Sequence, residues 1–304
     1  MPKVTKMPKV PKIKERYFLW WLIAAFLVLT GCDYEYLRYL ATAPKNLNMI
    51  AIENIQQSVM ERDDFSFVVL GDNRGNPAIF QCVLKEAVQH KPDFIIHTGD
   101  LTTWGRYDEY MAALEITENY QVPIVFIIGN HEMVSKYGVR WFKHIFGPLN
   151  FYFDIGRYRF VCINNNNEVV ELFFEKFTGK AKEVDKKDEG IKNLETLLHV
   201  KKQNFIVMHV PPPADIFRFH SFFRNSELFM NTVKRNASCI SRIFCGHIHG
   251  YGETVYGGVP CIVTGGAGAE LSGSHKGIIS KFNYILVNVE GEDVRHRVFF
   301  LDYS

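Results

Sequence analysis

Short apolar runs alternate with amphipathic segments in the first half of the chain beyond residue 60. The runs at 65–70, 94–98 and 124–128 are mostly apolar, which is typical of strands that are buried on both faces. The segments between them, 77–89 and 107–119, carry apolar residues on one helical face, which predicts helices. Strands that alternate with helices in this way indicate βαβ units and a parallel sheet.

The second half of the chain is richer in strands. Seven further runs are predicted strands, at 151–154, 158–164, 205–209, 240–245, 260–264, 284–289 and 294–301. Two packed sheets with helices outside are the natural way to bury so many strands in one chain. We therefore predict an α/β fold with two packed mixed β-sheets flanked by helices. We expect one domain at 63–304, preceded by a helical linker at 32–62.

The first 32 residues have the three parts of an export signal. A basic start precedes an apolar run at 17–29, and residues 29–32 read LTGC. The run is shorter than the roughly 20 residues of a membrane-spanning helix and fits the about 7 to 15 residues of a signal-peptide core. Its ending resembles the lipobox of bacterial lipoproteins, which predicts a signal peptide at 1–31 and a lipid on Cys32. The alternative is a short uncleaved anchor. Both interpretations place the body in the cell envelope, on the outer face of the cytoplasmic membrane.

The charge distribution argues against nucleic acid as a partner. Residues 1–16 hold six of the 35 Lys and Arg residues and one of the 33 acidic residues, which leaves 29 bases against 32 acids in the rest of the chain. A nearly neutral body lacks the basic surface that binds phosphate backbones. The chain is 47% hydrophobic and 22% charged, which is typical of a globular protein with a large core.

Five polar clusters each follow a predicted strand. They contain Asp72 in GDNRG, Asp100 in GDL, Asn130 and His131 in GNHE, His209 alone, and His247 and His249 in GHIH. Because ligands bind at the carboxyl ends of strands in α/β sheets, we expect these side chains to converge. Carboxylates, an amide and several imidazoles aimed at one point call for a cation, and this donor set suits Mn, Fe, Zn and similar ions. The sequence therefore predicts a pair of divalent metal ions.

The ordered clusters resemble the motifs of the calcineurin-like metallophosphoesterases, over about residues 65–265. The resemblance implies a four-layer α-β-β-α sandwich and a phosphatase or phosphodiesterase whose nucleophile is a metal-bridged hydroxide. By position, the implied ligands are Asp72 and His249 for the first ion, Asn130, His209 and His247 for the second, and Asp100 for both. The resemblance also implies that His131 is the general acid for the leaving group. Glu132 is expected either to orient His131 or to lie at the surface.

Two positions depart from the family pattern. Arg74 stands where the first motif usually has His, and Thr103 stands where the second often has an acid or amide. An Arg side chain cannot ligate a cation, because it has no free lone pair. One interpretation is that Arg74 binds the substrate phosphate bidentately, and this is the one we favour. The other is that the first metal site stays too weak to fill, which would leave a slow or inactive relative.

Two functions from different classes fit these features. The first is hydrolysis of phosphate esters outside the cytoplasm, and the second is a non-catalytic envelope lipoprotein that binds a phosphorylated or metal ligand. The aromatic-rich segment 216–223 and the patch 172–177 are either core-facing helix sides or an apolar lip beside the site. The lip interpretation predicts a lipid or other amphiphilic phosphate ester as substrate rather than a soluble small molecule. The sequence leaves open the choice between monoester, diester and pyrophosphate, and also the oligomeric state.

Overall fold

The computed structural model describes the part of the chain from residue 39 to residue 302. This description leaves out residues 41, 60–61, 63, 167–174, 177–188, 199–200, 218–219, 222–224 and 274–276. The chain divides into two compact units, Met1–Ala43 and Pro44–Ser304. Cys32 and the apolar run 17–29 lie outside the described residues. Within the described part, no helix is long and apolar enough to cross a membrane.

The larger unit contains six described α-helices and thirteen described strands. The helices are α1 (Leu47–Val59), α2 (Pro77–Val88), α3 (Tyr107–Glu118), α4 (Gly138–Ile145), α5 (Glu189–Leu198) and α6 (Ser226–Arg235). The first strands are β1 (Asp64–Leu70), β2 (Phe94–His97), β3 (Ile124–Phe126), β4 (Phe151–Ile155), β5 (Tyr158–Ile163), β6 (Glu175–Lys176) and β7 (Gln203–Met208). The others are β8 (Ile240–Cys245), β9 (Tyr251–Tyr256), β10 (Val259–Thr264), β11 (Ile278–Ile279), β12 (Phe282–Glu290) and β13 (Asp293–Leu301).

The strands form two mixed sheets. The first has five strands in the order β13-β12-β1-β2-β3, and the second has eight in the order β11-β9-β10-β8-β7-β5-β4-β6. Strands β1, β2 and β3 are parallel, and so are β5, β7, β8 and β10. Leu70 lies opposite His97, and His97 lies opposite Phe126. The loops that follow β1, β2 and β3 therefore start at the same level of the sheet.

An aromatic core holds the two sheets together. Phe67 of the first sheet is fully buried, and its ring stacks on Phe94 at 5.1 Å between centroids. It also meets Phe160 and Phe205 of the second sheet edge-on, each at 5.3 Å. Burying one such ring stabilises the fold by roughly 1.5–3 kcal/mol. This packing holds the strand ends of the two sheets in a fixed relation.

Helices cover the outer faces of both sheets. Phe80 of α2 packs against His97 of the first sheet, with 5.8 Å between ring centroids. A second apolar cluster joins α5 and α6 to the second sheet through Leu194, Phe229 and Val233. The predicted fold of two mixed sheets flanked by helices, in four layers, is therefore confirmed.

Helix α1 closes one edge of the first sheet. The Asn48 side-chain amide donates to the Phe126 carbonyl at 2.7 Å and accepts from the Phe126 N–H at 2.8 Å. The side chain thus pairs with the edge strand β3 as a neighbouring strand would, which protects that edge. Ile52 and Ile55 enter the core between the sheets. The sequence-based division placed this helix in the linker at 32–62, whereas it packs as part of the larger unit.

Several elements were not predicted from the sequence. Strands β6 and β11 have only two residues each, which is too short for a hydrophobic pattern. In β9, YGETVY, the glycine interrupts the apolar alternation. Helices α4, α5 and α6 have eight to ten residues, and at that length their apolar positions alone do not distinguish them from loops. The predicted strands themselves are present, with ends that differ by one or two residues from the prediction.

Candidate metal centre

The predicted ligands converge where the two sheets meet. Asp72 follows β1, Asp100 follows β2, and His249 belongs to the loop after β8. One ligand atom of each of these three residues lies within 4.8 Å of the corresponding atoms of the other two. Asp72 Oδ1 is 3.8 Å from His249 Nε2. These three side chains form the first donor group, which matches the ligands predicted for the first ion.

A second donor group surrounds the amide oxygen of Asn130. Asn130 Oδ1 is 3.0 Å from His209 Nε2 and 2.9 Å from His247 Nδ1. Asp100 Oδ1 is 3.3 Å from the same His209 nitrogen. Asp100 therefore adjoins both groups, as a residue that bridges two ions must. The structure brings together all six residues that the sequence proposed as ligands.

Backbone carbonyls fix the orientation of two of the imidazoles. His209 donates from Nδ1 to the Thr98 carbonyl at 2.8 Å, and His249 donates from Nδ1 to the Glu270 carbonyl at 2.6 Å. A carbonyl oxygen only accepts, so each Nδ1 carries a proton and Nε2 is the nitrogen of each ring that is left to bind an ion. Such an anchored imidazole with a free nitrogen is characteristic of histidines that bind metals.

Three ligand residues have strained backbone conformations. Asp72, Asp100 and His247 have positive φ angles of 62°, 55° and 70°, which non-glycine residues adopt rarely. The strain aims their side chains inward, and the Asp72 carboxylate accepts the His247 N–H at 2.9 Å. A Cβ atom at Gly129 would overlap the backbone nitrogen of Asp100. The motif glycine at 129 is therefore required for the close approach of these loops.

The donor set is electrostatically suited to a cation. Burial raises the pKa of Asp72 well above its ordinary value, although the charge of His209 opposes this effect. Burial also disfavours the charged form of Asp100, but His209 outweighs it and holds the pKa of Asp100 below its usual range. Burial lowers the pKa of His209, but Asp100 more than compensates and raises it to about 9. Asp72 and Asp100 are thus buried carboxylates whose charge is balanced mainly by one protonated imidazole, His209. Such a group of side chains suits divalent ions, which would take the place of the imidazole proton.

His131 lies at the edge of the site with one nitrogen directed toward it. Its Nδ1 donates to the Thr103 carbonyl at 2.8 Å, and its Nε2 is 3.9 Å from Asp100 Oδ2. The backbone N–H of His131 also donates to Asp100 Oδ1 at 2.9 Å. The imidazole is thus held beside both donor groups without belonging to either. This placement suits a proton donor.

Arg74 lies against the first donor group. Its Nη1 is 3.3 Å from His249 Nε2, which accepts because Nδ1 of that ring carries the proton. The Thr103 hydroxyl donates to the Arg74 carbonyl at 2.8 Å. The two positions that depart from the family pattern are therefore hydrogen-bonded to each other.

Glu132 has a role that the sequence did not predict. It is fully buried, and its carboxylate accepts the backbone N–H groups of Asp100 at 3.0 Å and Gly129 at 2.7 Å. It also accepts the N–H and the hydroxyl of Thr102. Burial and the nearby Asp100 charge raise the pKa of Glu132 to about 7. Both expectations for Glu132 were wrong, because it neither orients His131 nor lies at the surface but ties together the loops after β2 and β3.

His97 and Asn73 also support the site and were missed. His97 Nδ1 accepts the Gly99 N–H at 3.3 Å, and its Nε2 donates to Asn73 Oδ1 at 2.9 Å. Asn73 in turn donates to the Leu101 carbonyl at 2.9 Å. Burial lowers the pKa of His97 to about 3, which keeps the ring neutral. The available signal was a histidine at the last position of an otherwise apolar strand.

The proposed apolar lip is only partly described. Phe217 is fully buried in the cluster beneath α6, so for this residue the lip interpretation was wrong. Phe219, Phe222 and Phe223 lie outside the described residues, and so do residues 172–174 and Phe177. The preference for an amphiphilic ester, which depends on them, remains a prediction.

The two-sheet fold brings together donor groups that could hold metal ions. A family model described as calcineurin-like phosphoesterase matches residues 65–251. The chain belongs to the calcineurin-like phosphoesterase family. The predicted family is thus confirmed.

Known proteins similar to this chain share either the sequence pattern or the fold. A probable glycerophosphodiester phosphodiesterase GpdQ from Arcobacter nitrofigilis is 24% identical over 190 residues, which are 59% of this chain and 65% of that protein. The chain thus spans slightly less than two thirds of that relative. The purple acid phosphatase PPD1 of yellow lupin (Lupinus luteus) seeds has a TM-score of 0.58 at 15% identity, over 78% of this chain and 51% of that one. A dimetal phosphatase from Danio rerio has a TM-score of 0.51 at 14% identity, over 76% and 98%.

Proposed function

We propose that the protein hydrolyses phosphate esters with two divalent ions, Mn, Fe, Zn or similar, outside the cytoplasm. The observation that supports the pair of ions is the position of Asp100 between two donor groups. Asp72 and His249 would hold the first ion with Asp100, and Asn130, His209 and His247 would hold the second. When bound, such a pair activates water as the nucleophile and neutralises charge on the phosphate.

His131 is proposed to protonate the departing oxygen. The Thr103 carbonyl fixes the tautomer, because Nδ1 must donate to it. Nε2 therefore faces the site and is the nitrogen of this ring that could pass a proton to the leaving group. The half-buried position keeps the ring open to exchange with solvent.

Arg74 is proposed to bind the phosphate. Its Nη1 lies 3.3 Å from His249 Nε2, the nitrogen proposed to bind the first ion. An ester phosphate held beside that ion would offer the guanidinium two oxygens in the geometry that Arg prefers. Arg74 would in this way add a positive charge to the phosphate site without being a ligand.

A phosphodiester is the proposed first class of substrate. Its support is the similarity to a probable glycerophosphodiester phosphodiesterase, together with a leaving-group acid, which an alkoxide leaving group requires. The location is proposed from the sequence alone. The apolar run 17–29 and Cys32 support export and a lipid anchor on the outer face of the cytoplasmic membrane.

The test is hydrolysis by the purified full-length protein with Mn²⁺, Fe²⁺ or Zn²⁺ and with a chelator. Glycerophosphocholine and nitrophenyl monoesters and diesters are the substrates, and bound metal is counted on the same samples. We expect metal-dependent turnover that Asp100→Asn abolishes together with both ions, because one carboxylate serves both. Asp108→Asn, at an exposed acid on α3, is the matched control and should change neither. A protein that binds these esters but turns over none of them with any ion would favour the non-catalytic binder.

A further inference from the structure

Two exposed apolar side chains lie on segments that are hydrogen-bonded to His131. In the part of the chain that the structure describes, the exposed large apolar residues are Ile50, Trp104, Val134, Leu228, Val255, Ile279 and Phe300. Trp104 follows Thr103, whose carbonyl accepts from His131 Nδ1 at 2.8 Å. The Val134 N–H donates to the His131 carbonyl at 3.3 Å. Single exposed apolar residues are common on protein surfaces, but two beside the same catalytic candidate need a reason.

The backbone of Trp104 is held rigidly. The Glu109 carboxylate accepts the N–H of Thr103 at 3.2 Å, of Trp104 at 3.0 Å and of Arg106 at 3.0 Å. The carboxylate therefore fixes the backbone of this loop at three points. Trp104, which the loop carries, is 50% exposed. A large aromatic ring presented on a fixed loop loses little conformational entropy when a ligand packs on it.

The Val134 segment packs directly against this loop. The Ser135 hydroxyl donates to the Gly105 carbonyl at 2.8 Å. A Cβ atom at Gly138 would overlap the Glu132 carbonyl oxygen, and one at Gly105 would stand 2.5 Å from the same atom. Residues 102–105 and 131–138 thus form one close-packed unit. Val134, 52% exposed, ends the 3₁₀ turn that starts at His131, and side chains three positions apart in such a turn lie on one face.

The location of His131 determines what these side chains meet. A general acid must reach the oxygen of the leaving group, so the organic part of that group extends outward past His131 over the surrounding surface. Trp104 directly follows Thr103, the hydrogen-bond partner of His131, and Val134 donates to the His131 carbonyl, whereas the guanidinium of Arg74 lies beside His249. The site thus has a cationic group beside one proposed ligand and apolar side chains next to the proposed acid.

We propose that Trp104, with Val134, binds the alcohol part of the ester and selects leaving groups with an apolar or aromatic body. The proposal rests on the proposed function, because it takes His131 as the leaving-group acid. It narrows the substrate class to esters of an apolar alcohol, in contrast to esters whose leaving group is a bare polyol.

The test compares two ligands that differ only in this part. Benzylphosphonate and methylphosphonate share the phosphonate and resist hydrolysis, so calorimetric binding to the full-length protein with Mn²⁺ does not depend on turnover. We expect Trp104→Ala to lower the affinity for benzylphosphonate about three- to tenfold, the range for one aromatic contact. The affinity for methylphosphonate should stay within about twofold of the wild-type value. Trp104→Phe should restore most of the loss, because it keeps an aromatic face.

Val134→Ser should lower the affinity for benzylphosphonate by a smaller factor than Trp104→Ala does. Val255→Ser is its control, since Val255 is similarly exposed, at 60%, on β9. If Trp104→Ala lowered the affinity for both phosphonates equally, or for neither, the proposal would be overturned while the hydrolase function stayed intact. Failure of the wild type to bind methylphosphonate at all would overturn both.

Discussion

Replacing Glu132 by Gln tests whether this buried carboxylate holds the two metal-binding loops together. Oε1 accepts from the N–H and hydroxyl of Thr102, and Oε2 accepts from the N–H groups of Asp100 and Gly129. A Gln side chain has one accepting oxygen, so its NH₂ group faces either two backbone N–H groups or the Thr102 N–H and a hydroxyl that can rotate to accept. The second orientation leaves one buried donor without a partner, which costs about 1–3 kcal/mol. We therefore expect Glu132→Gln to lower the free energy of unfolding by about 1–3 kcal/mol.

The assay is urea denaturation of the metal-free protein at pH 8, above the raised pKa of about 7 for Glu132. Glu109→Gln is the matched control, because Glu109 also accepts three backbone N–H groups but lies half-exposed in the first turn of α3. Water can replace lost partners there, so its effect should stay below about 1.5 kcal/mol. Equal effects of the two substitutions, or an unfolding free energy unchanged by Glu132→Gln, would refute the argument.

Two further predictions concern the chemistry at the centre. His131→Ala should keep the bound metal but reduce turnover of alkyl esters by about 10²- to 10⁴-fold, and less for nitrophenyl esters, whose leaving groups need no proton. Equal losses of turnover for both ester types would exclude the acid role of His131. The control is His296→Ala, at a histidine on β13. Arg74→His should raise the affinity for the more weakly bound ion by about tenfold or more in calorimetric titration, because it frees His249 Nε2 and adds a ligand. It should also raise the KM for esters, and an unchanged metal affinity together with an unchanged KM would contradict both inferences about Arg74.

The sequence predicted the central strands because burial on both faces leaves a strong signature. In β2 all four residues are buried, and so are all six of β5, which is the pattern of strands covered on two sides. It could not predict how α1 protects the edge strand. The pairing of Asn48 with Phe126 joins residues 78 positions apart, and no local pattern records that contact.

The sequence pointed to the six proposed ligands for a different reason from the residues that support them. Each proposed ligand follows a strand end, so one rule about sheet edges points to all six. Glu132, His97 and Asn73 act through contacts between loops that are 24 to 32 residues apart. Their residue types are compatible with an ordinary core or surface position, and only the folded arrangement of the loops shows which groups they meet.

The departures from the family pattern lie on two neighbouring loops, after β1 and after β2, and a hydrogen bond connects them. The Thr103 hydroxyl donates to the Arg74 carbonyl, and the Thr103 carbonyl accepts from His131 Nδ1. Thr103 thus links the proposed phosphate contact to the proposed acid, and the next residue is Trp104. A Gly75 with a Cβ would approach the Thr103 hydroxyl at 2.7 Å, so the two loops also constrain each other sterically. The six proposed ligands match the family motifs by position, whereas the proposed phosphate contact and the proposed acid lie on different loops that Thr103 joins through its hydrogen bonds to Arg74 and His131.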